Sequence, residues 1–243
     1  GLTVRDTSFC TGLRTALIYP QPGNGAFLWW SSATGGTLLH TGGGLSRNFM
    51  ADTTYYVESR TVLGSFSAGL PNNSGALLSG STYNTAFLTN VGTGIVFNNS
   101  ESILLDSVTV YTSGNSSFNI ELRNSSNVLL QTRTVSVTGS GAHQVPVLFI
   151  IAPGTGYRLL MSSLSGSGLS AHYNITPNIY PLVYDCITMT QGWSLADRYN
   201  FFYDWKVKKL ACPTTRQSLN VTVLQTPIVN LPENILSCGL DVT

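Results

Sequence analysis

Short runs of alternating apolar and polar residues dominate this chain and restrict it to β structure. Residues 104–111 read Leu-Leu-Asp-Ser-Val-Thr-Val-Tyr, and residues 118–122 and 128–137 alternate in the same way. Glycine, serine and asparagine separate the runs at intervals of about ten residues, which is typical of sandwiches and barrels. Helical spacing is nearly absent, and only one weak, short helix is predicted, at 194–198. The pattern therefore predicts an all-β fold.

Aromatic residues mark the clearest strand and a candidate contact surface. Residues 199–207 alternate throughout, and successive side chains of a strand point to opposite faces. The two predicted faces are Phe201, Tyr203, Trp205 and Val207, and Phe202, Asp204 and Lys206. By the same rule, one of the adjacent Trp29 and Trp30 belongs to the core and the other to the surface or a module junction. Core packing is favoured over sugar stacking for most of the rings, and Trp193, beside Gly192 in a predicted loop, is the best candidate for an exposed ligand contact.

Charged residues are scarce, at 9% of the 243 residues, whereas a typical soluble domain has about 25%. The net charge of +1 provides no basic field, so no nucleic-acid partner is expected. Disorder combines low hydrophobicity with high net charge, whereas 42% of this chain is apolar.

The most apolar stretch, residues 145–152, contains Pro146 and is far shorter than the roughly 20 residues of a membrane-spanning helix. No membrane insertion by this segment is therefore expected.

Sequence motifs for catalysis are missing. His40, His143 and His172 lack the spacing of a zinc protease, and the chain has neither a Gly-x-Ser-x-Gly elbow nor a phosphate-binding loop. The acidic residues that would have to pair in space for glycoside hydrolysis are dispersed, namely Asp106, Glu121, Asp185, Asp197 and Asp204. A solvated strand face or a turn is the favoured interpretation of them. The sequence predicts no enzyme, no cofactor and no metal-binding residues, with a structural calcium ion, without assigned residues, as the open alternative.

The four cysteines are widely spaced. They are Cys10, Cys186, Cys212 and Cys238, and none forms a Cys-x-x-Cys pair of the kind that binds zinc. Disulfides are therefore favoured over zinc, which would indicate an oxidising compartment. The spacing alone leaves their pairing open.

Two segments near the N-terminus carry a specific resemblance. Residues 27–39 read Phe-Leu-Trp-Trp-Ser-Ser-Ala-Thr-Gly-Gly-Thr-Leu-Leu, and residues 51–58 read Ala-Asp-Thr-Thr-Tyr-Tyr-Val-Glu. The pattern resembles the immunoglobulin-like (Ig-like) modules of large secreted cell-surface proteins of Bacteroidota. The resemblance implies an Ig-like β-sandwich at the start of the chain.

The middle of the chain resembles a second, jelly-roll-like module of the same proteins. The segments that carry this resemblance are residues 105–111, 145–149, 153–159 and 199–207. Together the two resemblances imply a fragment of a giant multi-domain adhesin of the gliding-motility type, exported by the type IX secretion system to the cell surface. The same modules occur in secreted peptidases and glycosidases, so the resemblance implies an extracellular location more directly than a role.

The resemblance also implies a division into tandem β-sandwiches. Residues 1–60 would form the Ig-like module, and residues 61–207 a larger jelly-roll-like antiparallel sandwich that is inserted into it or follows it. Residues 208–226 would return as a strand that completes the first module, or act as a linker. Residues 227–243 repeat the Cys, Gly and apolar pattern found near the N-terminus. They would begin a next module, unless the likeness is a coincidence in a chain rich in Gly and Thr.

A disulfide and two modification sites are implied by the resemblance alone. In the resembling modules a Cys, a short polar turn and an Arg precede the last strand, and residues 212–216 fit that description. Cys10 is therefore predicted to pair with Cys212. The Asp-Ser/Thr-aliphatic O-glycan site of the same phylum fits Ser107 and, more loosely, Thr53.

These observations favour non-catalytic modules of a large secreted cell-surface adhesin that serve as a stalk or surface-adhesion region in attachment or gliding. The expected partners are neighbouring modules of the same chain and, in second place, surface polysaccharides. The alternative is an accessory or carbohydrate-binding region of a secreted hydrolase whose catalytic domain lies elsewhere in the protein.

Overall fold

The computed structural model describes residues 2, 4–10, 12–17, 25–74 and 81–224. The predicted all-β fold class is confirmed, because every regular element among these residues is a strand. In chain order the strands are β1 (Thr7–Cys10), β2 (Gly12–Leu17), β3 (Gly25–Trp30), β4 (Leu38–Thr41), β5 (Gly44–Phe49), β6 (Thr53–Ala68), β7 (Thr82–Leu88), β8 (Thr93–Asn99), β9 (Ile103–Ser113), β10 (Ser116–Arg123), β11 (Leu129–Val137), β12 (Ser140–Ile151), β13 (Gly154–Gly166), β14 (Leu169–Thr176), β15 (Leu182–Tyr184), β16 (Ile187–Trp193), β17 (Tyr199–Asn200), β18 (Tyr203–Leu210) and β19 (Gln217–Leu224).

The first sandwich comprises β1 to β5, residues 53–61 of β6, and β19. Strands β3 and β19 both pair antiparallel with β6, and β1 pairs in parallel with β19. Strands β2 and β5 form a separate two-stranded sheet. Alternation along β19 places Leu219 and Val221 in the apolar core that both sheets share, together with Trp29 and Tyr55. Strand β19 therefore belongs to the same core as the strands at the start of the chain.

The second sandwich comprises residues 62–68 of β6 and strands β7 to β18. One of its sheets has the order β6-β18-β9-β14-β17, with β12 also paired to β9 and β7 to β14, and the other has the order β11-β10-β13-β8-β16-β15. The chain crosses repeatedly between the two sheets, for example from β8 to β9 to β10. Apolar side chains from both sheets, among them Phe97, Phe118 and Trp205, meet in one core.

Strand β6 is shared by the two sandwiches. Thr61 pairs with Gly25 of β3, and the next residue, Val62, pairs with Leu210 of β18. A separate apolar cluster lies at this junction, and its buried members are Leu28, Trp30 and Leu38 from the first sandwich and Leu104 and Leu210 from the second. The two adjacent tryptophans divide as alternation requires, since Trp29 lies in the first core and Trp30 at the junction.

The predicted strand at 199–207 is interrupted. Phe201 has a left-handed backbone with φ of +68°, which is uncommon for a non-glycine residue and bends the chain. The carbonyl oxygen of Phe202 accepts hydrogen bonds from the Tyr199 hydroxyl at 2.8 Å and from Trp205 Nε1 at 2.7 Å. Phe202 is therefore buried, whereas strict alternation placed it on the polar face.

Three further expectations about the chain differ from the structure, stay untested or lie outside the described residues. Residues 194–198 form bends and turns, so the predicted short helix is not formed. The module boundary predicted at residue 60 falls inside β6, and the division into domains stays a prediction. Residues 227–243, predicted to begin a next module, lie outside the described residues.

Candidate functional site

A cleft of about 460 Å³ opens where the two sandwiches meet. On the side of the first sandwich it is lined by Trp30, Leu38 and the loop at 35–37. On the side of the second sandwich it is lined by the start of β11 and by residues 148–150 of β12. The cleft is therefore built by segments that are about a hundred residues apart in the chain.

Arg216, the residue before β19, organises the wall formed by the first sandwich. Its guanidinium lies over the Trp30 ring, 3.9 Å from the centroid. It donates hydrogen bonds to the carbonyl oxygens of Ser32 and Gly35, both at 2.7 Å, and to the Glu58 carboxylate at 3.1 Å. These contacts hold the loop before β4 against the sheet.

The carboxylate that anchors Arg216 is itself buried. Glu58 is 3% exposed, and its other oxygen accepts a hydrogen bond from Arg60 Nε at 2.7 Å. In antibody domains the residue two positions after the corner tyrosine is a cysteine that joins the sheets. Here that position after Tyr56 is Glu58. Glu58 points away from the first core, since Tyr55 and Val57 are the β6 residues buried there. Its buried carboxylate is paired with two arginines, because desolvation of an unpaired charge is costly.

The wall formed by the second sandwich lies between two sheet edges. Strand β11 ends one sheet, and β12 lies beside β9 in the other. Side chains bridge the two edges, because Gln131 Nε2 donates to the Ile150 carbonyl at 2.7 Å and Arg133 Nε donates to the Val147 carbonyl at 3.3 Å. Arg133 Nη2 also donates to the carbonyl of Leu38 in the first sandwich at 3.3 Å. Arg133 therefore connects both sheets of the second sandwich to the first sandwich.

A bulge in β12 lies directly beside the cleft. Leu148 has a φ of +57°, and the pairing of β12 with β9 shifts register between Pro146 and Phe149. Bulges bend a strand and re-aim its side chains. Backbone outliers of this kind concentrate at functional sites.

The electrostatics of the cleft are set by Arg133. No carboxylate among the described residues forms an ion pair with it. Burial lowers the pKa of Arg133, because its guanidinium is partly withdrawn from water. The cleft thus combines aliphatic walls with a cation whose charge is not neutralised nearby.

The arrangement is suited to binding. The residues that line the cleft supply aliphatic, aromatic, amide, hydroxyl and guanidinium groups, and none of those described there is a His, Cys, Asp or Glu. Within the described ranges, no three such side chains lie together as a metal site would require. The structural calcium ion stays a prediction without residues. The same part of the chain has no helix long and apolar enough to cross a membrane.

The predicted Cys10–Cys212 disulfide is not formed, and both thiols are free and exposed. Cys10 pairs with Leu224 at the end of β19, whereas Cys212 precedes Gln217 at its start. Seven residues of extended strand span about 23 Å, and a disulfide needs Cα atoms within about 7 Å. The parallel register of β1 and β19 is therefore the reason that this prediction fails.

The two predicted glycan acceptors differ in accessibility. Ser107 lies in β9 between β12 and β18 and is 7% exposed, and its hydroxyl accepts a hydrogen bond from Gln144 Nε2 at 3.1 Å. The folded protein buries this hydroxyl, and glycosylation of Ser107 stays a prediction. Thr53 is exposed at the start of β6, and its glycosylation stays a prediction.

Trp193, the predicted ligand contact, lies at the end of β16 and is half-buried. The guanidinium carbon of Arg158 lies over its ring, 3.7 Å from the centroid. One face of the ring is therefore covered by a cation–π contact. Trp193 lies outside the cleft, and its role as a contact stays a prediction.

Sequence reasoning did not single out Arg133. It stands in the alternating run 128–137, where any charged residue reads as part of a solvated face. One feature of the sequence nevertheless distinguishes Arg133, because it is the one charged residue of that run. It also shares its strand face with Val135, which is buried.

Residues 2–68 match the family model described as Ig-like domain, CHU_C associated. The matched segment runs to the end of β6 and supports the Ig-like module that the resemblance implies. No curated protein matches the chain.

Proposed function

We propose that the chain is a non-catalytic region of a large secreted adhesin on the outer cell surface, where it serves as a stalk or surface-adhesion region. The observation that carries the proposal is the shared strand β6, which makes parts of both sandwiches continuous in one sheet. Such a junction resists bending better than a flexible linker would. The Ig-like match over residues 2–68 supports an extracellular location.

The placement of β1 and β19 supports a role under tension. The two strands run in parallel, with Thr7 beside Val221 and Cys10 beside Leu224. Pulling on the chain before β1 and after β19 displaces the strands along their length, so the hydrogen bonds between them share the load. Resistance to such forced unfolding is set by the unfolding rate.

The native protein in its source cells tests the proposal. Intact cells are treated with a protease, the released peptides are identified, and the mass of the parent protein is measured. We expect peptides of this chain to be released without cell lysis, from a parent of several hundred kilodaltons that carries further sandwiches of this kind. Removal of the parent should also reduce attachment of the cells to surfaces. Retention of the chain inside the cells, or unchanged attachment, would contradict the proposal.

An accessory or carbohydrate-binding region of a secreted hydrolase is the second candidate. The half-exposed Trp193 favours it, but Trp193 and Trp30 each carry an arginine over one ring face, which leaves less aromatic surface for a sugar. This alternative requires a catalytic domain in the parent protein. A carbohydrate-binding role also requires that the protein binds a polysaccharide and that the Trp193→Ala variant does not. A glycan array probed with the parent protein and with the Trp193→Ala variant tests this alternative.

A further inference from the structure

Strand β11 is an open sheet edge beside the cleft. It is the last strand in the order β11-β10-β13-β8-β16-β15, and no other strand of the described part pairs with its outer side. Every second residue of an edge strand directs its N–H and C=O groups outward. Such edges bind extended peptides by adding one more strand to the sheet.

The beginning of this edge is unusually apolar. Val128, Leu129 and Leu130 are three consecutive exposed aliphatic residues, and the last two line the cleft. Exposed apolar surface of this kind on an edge strand marks an interaction site rather than a solvated face. The edge therefore provides both backbone hydrogen-bonding groups and apolar contact.

The side chains on the inner face of β11 show which groups a strand added to its outer edge would contact. Gln131 and Arg133 point inward, because both side chains reach the carbonyl groups of β12. Side chains at positions i and i+2 of a strand added to β11 would point the same way, into the cleft. There they would find aliphatic groups such as Leu148 and the guanidinium of Arg133, which lacks a carboxylate partner among the described residues.

We propose that the cleft binds an extended, acidic peptide of a partner protein that adds a strand to the outer edge of β11. An apolar side chain of the peptide fills the aliphatic part of the cleft. An Asp or Glu two positions away pairs with Arg133. The proposal goes beyond the adhesin function, because it assigns a binding site and the chemical class of its ligand.

Two observations favour a peptide over a polysaccharide. The Trp30 ring in the cleft has Arg216 over one face at 3.9 Å, so that face is closed to sugar stacking. The remaining walls contributed by β11 and β12 are mainly aliphatic side chains and strand backbone, which match an extended peptide.

Fluorescently labelled ten-residue peptides of Ser and Thr test the proposal by fluorescence anisotropy. The first carries Leu and Glu two positions apart, the second carries them at adjacent positions, and the third has Gln in place of Glu in the first. We expect the first peptide to bind at least about tenfold tighter than the other two, because only it places both groups on one face. The Arg133→Gln variant should bind the Glu and Gln peptides equally.

Two further variants test the proposal in the case that Arg133→Gln disturbs folding. Leu130 is 46% exposed on β11, and Val183 is 67% exposed on β15, the strand at the opposite end of the same sheet. Leu130→Glu should weaken binding of the first peptide by about tenfold or more, because it adds a like charge at the rim. Val183→Glu should leave binding unchanged.

Several results would overturn the proposal. The first is that no peptide binds with a Kd below about 1 mM. The second is that the first and second peptides bind with equal affinity. The third is that Leu130→Glu and Val183→Glu change the affinity for the first peptide equally. Binding of a uronic-acid polysaccharide in place of the peptides would assign the cleft to a sugar. Concentration-dependent dimerisation that Leu130→Glu abolishes would assign the edge to a second copy of the chain.

Discussion

At the scale of single residues, buried charge is concentrated at Glu58, which contacts both Arg60 and Arg216. Replacement of Arg216 by Ala should lower the free energy of unfolding by about 3 kcal/mol, because it leaves a buried carboxylate with one partner. Urea denaturation followed by tryptophan fluorescence measures the change, since Trp30 lies under Arg216.

The matched control for this prediction is the partly exposed ion pair between Lys206 and Asp204, whose side chains are 41% and 29% exposed. Lys206→Ala should change stability by less than about 1 kcal/mol, because solvent screens exposed pairs. Equal losses for Arg216→Ala and Lys206→Ala would show that burial of Glu58 does not govern the effect.

His172 in β14 is the second residue with an unusual environment. It is fully buried beside the rings of Tyr83 and Tyr203, with centroids at 4.7 and 5.7 Å, and its Nδ1 lies 3.0 Å from the Thr85 hydroxyl. Burial lowers the pKa of His172 from 6.5 to about 4, because the charged ring is desolvated, and the nearby backbone of Asn72 partly opposes this shift. The folded protein therefore holds this ring neutral.

The lowered pKa of His172 predicts a loss of stability in acid. Because the folded pKa is below the unfolded one, the unfolded chain binds more protons between pH 6.5 and 4. The contribution of His172 is complete above about pH 6.5 and is lost as the pH falls to about 4, by roughly 3 kcal/mol. Urea titrations across this range should show a flatter pH dependence for His172→Asn, whereas His143→Gln should keep the slope of the parent. Parallel curves for His172→Asn and the parent would contradict the prediction.

At the scale of elements, close contact between β8 and β13 depends on one glycine. A Cβ atom at Gly94 would overlap the carbonyl oxygen of Leu159, which is rigid backbone of the neighbouring strand. Gly94→Ala should therefore destabilise the protein by about 1–3 kcal/mol, as overpacking does elsewhere.

Gly43 provides the comparison for Gly94, because a Cβ there meets nothing within 4 Å. Gly43→Ala should stay within about 0.5 kcal/mol of the parent. Thermal unfolding of both variants measures the difference. A Gly94→Ala protein as stable as Gly43→Ala would mean that β8 and β13 can separate without cost.

At the scale of the whole molecule, the junction cluster predicts that the two sandwiches unfold together. Leu104 is fully buried in this cluster, where it meets Leu28, Trp30 and Leu38 of the first sandwich. Leu104→Ala should cost about 2–5 kcal/mol and split one calorimetric transition into two, because it removes contacts that couple the units. Leu63→Ala, at a 60% exposed position of the shared strand β6, should keep a single transition. Two transitions in the parent protein would contradict the coupling.

Alternation along the chain predicted much of the fold at the level of strand faces. Leu219 and Val221 are buried and Asn220 is exposed, as their spacing requires. The rule failed at Phe202, where the left-handed Phe201 and two hydrogen bonds to one carbonyl turn the ring into the core. A local pattern assumes regular backbone, so it cannot anticipate a kink that tertiary contacts stabilise.

The candidate cleft was not predictable in the same way. Its two walls are joined by Arg133 and Leu38, which are 95 residues apart. For Ser107 the local sequence suggested an accessible site. Its sequence context resembles a modification site, but the neighbouring strands β12 and β18 bury it. The accessibility of a side chain depends on which strands lie beside it, and the local sequence does not specify those strands.

The sequence by itself determined that this chain is all-β with few charges, because alternation and turn residues act over a few positions. The Ig-like start followed from the resemblance of residues 27–39 and 51–58. Only the tertiary structure decided that β19 returns to β6, that β1 pairs with the end of β19 far from Cys212, and that Arg133 lies on an open edge strand. Strand pairing depends on contacts between distant residues, and alternation specifies which face of a strand is buried but not which strand lies beside it.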